Sequence, residues 1–433
     1  MSPLLVFLFA ISEPIESRIY EFQLKNGLHV MHYVDTSAPV VSFNVYYRVG
    51  SYDEQPGHTG ISHMLEHMSF KHTDIYKPGD FDRILDSVGA INNGFTSTYY
   101  TGYYENIARD HWEVALKLEA ARMAKCIFLD SEFVTEHQVV AEERRLGDNR
   151  PTSILWEQFE ATAFLAHPHR NPTIGWSDDV ANFTVAKVRE WYRRYYNPAN
   201  AVIVVAGALQ PEEVKAKIEK YFGRLKGVPV YRTDYYNIEP SLIGERRITL
   251  HKRVSVPSLL IGFPTPGIRD SLYFVGDVVA AILGAGRNSR LYKTLVTDSG
   301  LATAVSVWNS MERDPGVMII SVTPKSESLI PRIENLIYAE LKRMTKEPAT
   351  ERELTRVKNQ ALANYIFARD DISDIAWLLA TSQITTGSWR HFIQQMDMVE
   401  KTTVDQVQGF CQRYINPERR VVGILLPEKK ETK

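Results

Sequence analysis

One block of this chain occurs twice at a fixed spacing. Residues 184–205 read TVAKVREWYRRYYNPANAVIVV and residues 403–424 read TVDQVQGFCQRYINPERRVVGI. Thr184, Val185, Val188, Arg194, Tyr195, Asn197 and Pro198 recur as Thr403, Val404, Val407, Arg413, Tyr414, Asn416 and Pro417, each 219 positions further on. An ungapped offset of this kind is the mark of an internal duplication, so both halves must be built on one plan. In each copy an amphipathic helix is stopped by Asn-Pro, whose ring disfavours helix in the residue before it, and a β-branched strand follows.

The seam falls in GRLKGVPVYRTDYYNIEP, residues 223–240, where Gly and Pro cluster and periodicity is lost. The expectation is an α+β chain of two homologous domains, 18–225 and 245–433, joined by a linker over 226–244. Each should hold a mainly antiparallel sheet with helices packed on one face. In the first half, alternating apolar residues flank Asn26-Gly27 as in a hairpin, VVSFNVYYRVGS reads as a third strand, and helical patterns follow at 60–70, 78–89, 109–125 and 131–146. RITLHKRV and SLLIGFPTP open the second half in a similar order.

Composition narrows the function. With 44% hydrophobic and 24% charged residues the chain reads as globular, and a net charge of -2 gives no basic excess for nucleic acid. Cys126 and Cys411 have no CxxC spacing and imply neither a thiolate metal site nor a disulfide framework. The first residues, MSPLLVFLFAIS, are apolar over a length too short for a stable membrane span but suited to a signal-like segment over 1–17, although basic residues before it are missing. This points to the bacterial periplasm, with the cytoplasm as the alternative.

Chemistry concentrates in GISHMLEHMSFKHT, residues 60–73. On a helix, His63 and His67 share one face and can bind one metal ion, with Glu66 on the adjacent edge. This HxxEH order is the inverse of HExxH, and both provide two zinc ligands and a carboxylate that can act on a zinc-bound water. The plainer alternative is a solvated helix with chance histidines. A catalytic zinc needs a third protein ligand, and SEFVTEHQVVAEERRLGD offers Glu136 and Glu143, two turns apart on one helical face.

GISHMLEHMSFKHT, EHQVVAEERR and NPTIGWSDDV together resemble the pitrilysin/insulinase family of inverted-zincin metallopeptidases. The likeness is to the short two-domain branch that includes the mitochondrial processing peptidases and bacterial zinc proteases. The resemblance covers nearly the whole chain. It implies one Zn2+ per chain held by His63, His67 and Glu143, with Glu136 as supporting glutamate, Glu66 as catalytic base, and Glu142 as the neighbour to exclude. It also implies an edge strand of the pattern Asn-Ala-x-Thr-Ser on which extended peptide adds as a further strand. NNGFTSTYYTGYYENI matches at Asn93, Thr96 and Ser97 and departs at Gly94. Tyr99, Tyr100, Tyr103 and Tyr104 read simply as a half-buried strand. His72 stands where the family commonly has Gly, and His58, His72, His167 and His169 read as loop, surface or packing residues.

The second half carries no such motif: the 219 offset takes His63, Glu66 and His67 to Ile282, Ala285 and Gly286. GAGRNS there lacks the GK[ST] of a phosphate loop, and its small residues suit a close helix–strand approach. The family often carries an Arg/Tyr pair seven residues apart in this half; the matching positions hold Val296 and Thr303, while Arg290 and Tyr292 read as structural. The resemblance therefore implies the zinc-bearing chain of a pair, hydrolysing unfolded peptides with a similar partner chain that carries the Arg/Tyr pair, or as a homodimer. The competing reading is a non-catalytic structural or chaperone-like subunit.

Overall fold

Residues 14–230 and 239–428 are described by a computed structural model; the apolar start of the chain and the middle of the linker lie outside the described residues. The first half contributes β1 (Ile19–Gln23), β2 (His29–Val34), β3 (Val40–Tyr47), β4 (Ile91–Thr96), β5 (Thr101–Ala108) and β6 (Ala201–Gly207). The second contributes β7 (Arg246–Lys252), β8 (Ser258–Thr265), β9 (Ala302–Asn309), β10 (Gly316–Pro324) and β11 (Val421–Pro427). The sheet orders are β1-β2-β6-β3-β5-β4 and β7-β11-β8-β10-β9. Apart from the extra β1, the two orders correspond strand for strand. Each sheet is antiparallel except for one parallel pair, β2 with β6 and β7 with β11.

The repeated block takes the form its sequence implies. Helices Val185–Tyr195 and Val404–Tyr414 are capped by the hydroxyls of Thr184 and Thr403, and each leads past Asn-Pro into an interior strand of its sheet, β6 or β11. The first hairpin turns at Asn26-Gly27, with Gly27 at φ +90° and the Asn26 amide tied to the carbonyls of Phe222 and Leu225. In the second half the small-residue stretch does bring helix and strand together: a Cβ on Gly284 would lie 2.4 Å from the backbone nitrogen of Val307 on β9.

One face of each sheet is covered by its own helices. The other face is covered by a helix from the opposite half. Pro151–Ala163 crosses to the second sheet, where Leu155 and Phe159 pack with Leu260, Val317, Ile319, Val421 and Leu425. Phe159 sits over Gly262 and Gly423, where added Cβ atoms would lie 2.7 and 3.1 Å from its ring. Ile372–Thr386 makes the reciprocal crossing, packing Ile375, Ala376, Leu379 and Ala380 on Met31, Tyr33, Tyr46, Val202 and Val204. The central strands are thus apolar on both pleats, as β6 is along its whole length.

Beneath the first sheet's own helices lies a buried charge group. Arg122 is 1% exposed, bonds Glu119 at 2.7 Å, and packs its guanidinium over the rings of Phe70, Phe81 and Tyr103. It also donates to the carbonyl of Ser69 at 3.0 Å, the end of the helix Ile61–Met68. Burial, with Glu119 beside it, pushes Glu105 well above the usual carboxylate range, against the pull of the Arg122 guanidinium.

Two stability predictions follow from this packing. Phe159→Ala should lower unfolding stability by about 3–5 kcal/mol, and urea unfolding should remain one transition, because the lost contacts belong to both halves. Arg122→Met should cost about 3–5 kcal/mol by leaving Glu119 buried without its cation, while Arg83→Met on the exposed face of the helix Asp80–Ser87 should be near neutral in the same denaturation assay.

Candidate metal centre

The helix Ile61–Met68 is only eight residues long and is held at both ends. At its start the buried Glu54 carboxyl accepts the N–H groups of Gly60 at 2.6 Å and Ser62 at 2.8 Å, satisfying donors that the first turn leaves free. Gly60 has φ +89°, and a Cβ there would lie 2.3 Å from the carbonyl oxygen of Ile174; Gly175, at φ +90°, would meet the Thr59 oxygen at 2.1 Å. This close crossing is the structural content of NPTIGW. Asp179, just beyond, accepts from the N–H groups of Gly57 and Thr59 and from the Thr59 hydroxyl.

His63 and His67 leave this helix on one face, 4.7 Å apart between ring centres. Across from them, the helix Asp130–Asp148 presents Glu143, whose Oε2 lies 3.7 Å from His63 Nε2 and 3.5 Å from His67 Nε2. These separations are too long for hydrogen bonds and close to the edge, about 3.4 Å, of a tetrahedron with ~2.0–2.1 Å bonds to zinc. Among the described residues, His63, His67 and Glu143 form the group able to hold a metal ion, their ligand atoms lying within 4.8 Å of one another. Burial, and then the neighbouring His67 ring, lower His63 to about 4, which keeps its imidazole neutral and able to ligate at pH 7. The donor set therefore fits zinc.

The other residues named from sequence are sorted by the same geometry. Glu136, one turn-pair before Glu143, lies with Oε2 3.4 Å from His67 Nδ1 and is itself held by Lys71 at 2.6 Å. Glu142 points away and pairs with Arg145. Glu66 is buried and accepts the Thr96 hydroxyl at 2.7 Å, and burial raises its carboxyl above the usual range against the pull of that bond. Thr96 ends the edge strand β4, whose outer side has no partner strand among the described residues.

Asn93 is exposed and, three positions from Thr96, lies on the opposite pleat, so it is not brought to Glu66. Ser97 is in the turn after β4, its N–H donating to the Tyr100 carbonyl. Tyr99 and Tyr100 occupy that turn as well and are buried, whereas Tyr103 and Tyr104 are in β5; the four are not one strand, because the hairpin reverses between them. At Gly94, an added Cβ would lie 2.9 Å from the Phe70 ring.

In the second half, Arg290 makes two bonds to Glu353 and one to Glu340, which occupies its guanidinium in the fold. Val296 packs on the second core and Thr303 bonds the Thr323 carbonyl. Beside the zinc helix, a cavity of about 810 Å³ lies between the halves, lined by Tyr52, His58 and Ile61 on one side and Arg269, Arg313 and Val317 on the other. Sequence reasoning missed Glu54 and Arg122, single charges without a motif around them, and Lys71, which stands inside the stretch 60–73 but has no role in its motif.

The sequence model described as Insulinase (Peptidase family M16) matches residues 30–176, and that described as Peptidase M16 inactive domain matches 182–361. The chain is 32% identical over 362 residues to the zinc protease PqqE of Helicobacter pylori, covering 82% of this chain and 81% of that protein. It is 24% identical over 409 residues to an uncharacterized zinc protease of Bacillus subtilis, YmxG, covering 94% and 98%. Among solved structures, a protease from Helicobacter pylori superposes with a TM-score of 0.88 at 29% identity, over 94% of this chain and 99% of that one. The periplasmic protease PqqL of Escherichia coli shares the fold, with a TM-score of 0.80 at 18% identity, but this chain spans only 48% of it. With the paired domain models and this level of identity, the chain belongs to the insulinase family of peptidases, M16.

Proposed function

We propose that the chain is a zinc metalloendopeptidase that hydrolyses unfolded peptides, with the site in the domain 18–225 and the domain 245–433 as its support. The observation that carries this reading is the meeting of His63, His67 and Glu143 within 4.8 Å, beside a buried Glu66 and an open sheet edge. His63, His67 and Glu143 would hold one zinc ion, with Glu136 steadying His67 through Nδ1. When bound, zinc supplies a Lewis acid for the scissile carbonyl and makes water more acidic.

The chain's own residues supply the rest. Extended substrate pairs its main chain with β4, which fixes a peptide bond at the level of Thr96 without demanding particular side chains. Glu66, with its carboxyl raised by burial, is matched to take a proton from the attacking water and deliver it to the leaving nitrogen. The Thr96 hydroxyl holds that carboxylate in one rotamer. Arg290 has no part in this chemistry, since its guanidinium is committed to Glu353 and Glu340.

A partner of similar build, or a second copy, would complete a chamber around the site. That reading is supported by the match of 96% of this chain to about half of PqqL, which is a single longer protein. The periplasm is the proposed compartment, on the apolar N-terminal sequence and the likeness to PqqL, a periplasmic protease. Among the described residues, no helix is long and apolar enough to cross a membrane.

Two measurements test the site. Purified protein should contain one zinc per chain by metal analysis and cleave a quenched peptide library; Glu66→Gln should keep the metal and lose at least about 100-fold in rate, the scale of general-base catalysis. Protein that binds zinc yet cleaves nothing, alone or with a second copy, would point to a missing partner. Glu143→Ala should lose zinc affinity, whereas Glu142→Ala should titrate like wild type; equal losses in both would remove Glu143 from the ligand set.

A further inference from the structure

The zinc-side hairpin is anchored on the other half of the molecule at its tip. The turn between β4 and β5 places Tyr99 beneath the loop that joins β9 to β10, residues 310–315, so the corresponding hairpins of the two halves meet tip to tip. Tyr99 is 5% exposed; its hydroxyl lies 2.5 Å from His169 Nε2 and accepts the backbone N–H of Arg313 at 3.1 Å. His169 Nε2 is 3.1 Å from Glu312 Oε2, and the His169 N–H donates to His167 Nδ1. The Arg313 guanidinium lies over the rings of Tyr52 and Tyr99, at 4.1 and 4.8 Å from their centres.

The same turn is gripped from the first half. Ser97 and Thr98 accept through their carbonyls from the N–H groups of Ser51 and Tyr52, and Gly50 has no space for a Cβ there, with the Ser97 oxygen at 2.2 Å. His169 belongs to the loop that follows the exchanged helix Pro151–Ala163. Two segments distant in sequence, at His169 and at Glu312–Arg313, thus meet at one tyrosine hydroxyl, while Ser51 and Tyr52 hold the backbone of its turn.

We propose that Tyr99, His169 and Glu312 are positioning residues: a clamp through which the second half fixes the edge strand that receives substrate. The inference rests on the peptidase reading for its consequence, but not for its geometry. The physical reason is entropic. A strand that must accept a peptide by main-chain pairing binds it more tightly when its own backbone is already ordered, and β4 has a neighbour on one side only. The helix Ile61–Met68 is fixed separately, by Glu54 and Arg122, so a loosened hairpin should weaken substrate capture first and reach the hydrolytic step only through the Thr96 hydroxyl on Glu66.

The test uses the zinc-loaded full chain with Tyr99→Phe, which keeps the ring, and Glu312→Gln, which keeps the shape. Hydrogen–deuterium exchange of peptides spanning 91–101 should speed up about tenfold in both variants, with the two sheets otherwise protected as in wild type. For extended peptides KM should rise about fivefold with kcat within about twofold, and zinc content should not change. Unaltered exchange over 91–101, loss of protection spread over both sheets, or an unchanged KM would overturn the clamp. A wild-type chain that cleaves no peptide would bear on the proposed function alone, because the exchange measurement reports on the hairpin without substrate.

Discussion

The reciprocal crossing of two helices is the interaction on which the rest of this molecule depends. Each sheet has two apolar faces, and each half supplies helices for only one of them. The hydrophobic free energy of the second face is released only when the opposite half delivers Pro151–Ala163 or Ile372–Thr386. The half without the His63, His67 and Glu143 group is therefore part of the same folding unit as the half that has it. Its contribution to the site is mechanical, through the sheet it covers and the hairpin it meets.

Within that frame the metal centre depends on a helix too short to be stable by itself. Eight residues gain their persistence from outside: Glu54 at the first turn, Arg122 at the last, and the Gly60–Gly175 crossing that seats the entrance. All three supports are insulated from water. A ligand pair displayed on such an element has little freedom left to lose when an ion arrives, which is the condition for a preorganised site.

Much of this was legible in the sequence, for reasons that differ by residue. His63, Glu66 and His67 are close in sequence, so helical periodicity alone puts them together; Glu136 and Glu143 follow from the same arithmetic on a second helix. The duplicated block announced a common plan for the halves, and its Asn-Pro stops and following strands formed as expected; the Thr184 and Thr403 caps came only with the structure. Glu54 and Arg122 were not legible, because an isolated charge in sequence looks like surface until its distant partner is known; Lys71, though inside the stretch 60–73, was not legible either until Glu136 was seen beside it. The helix exchange was hidden for a related reason: an amphipathic helix has the same pattern whichever sheet it covers. Tyr99 was misassigned to a strand because aromatic content favours strands, while the reversal at Ser97–Tyr100 is set by the partners of the turn.

The exchange also bears on how such a chain could arise. A half-length chain of this topology would carry one helix that its own sheet cannot use and one sheet face that its own helices cannot reach. Two copies related by a twofold axis satisfy both demands at once, each helix lying on the other copy's sheet. Joining those copies end to end preserves every such contact while releasing each half to change independently, so that one could lose its metal ligands and keep only its grip on the other.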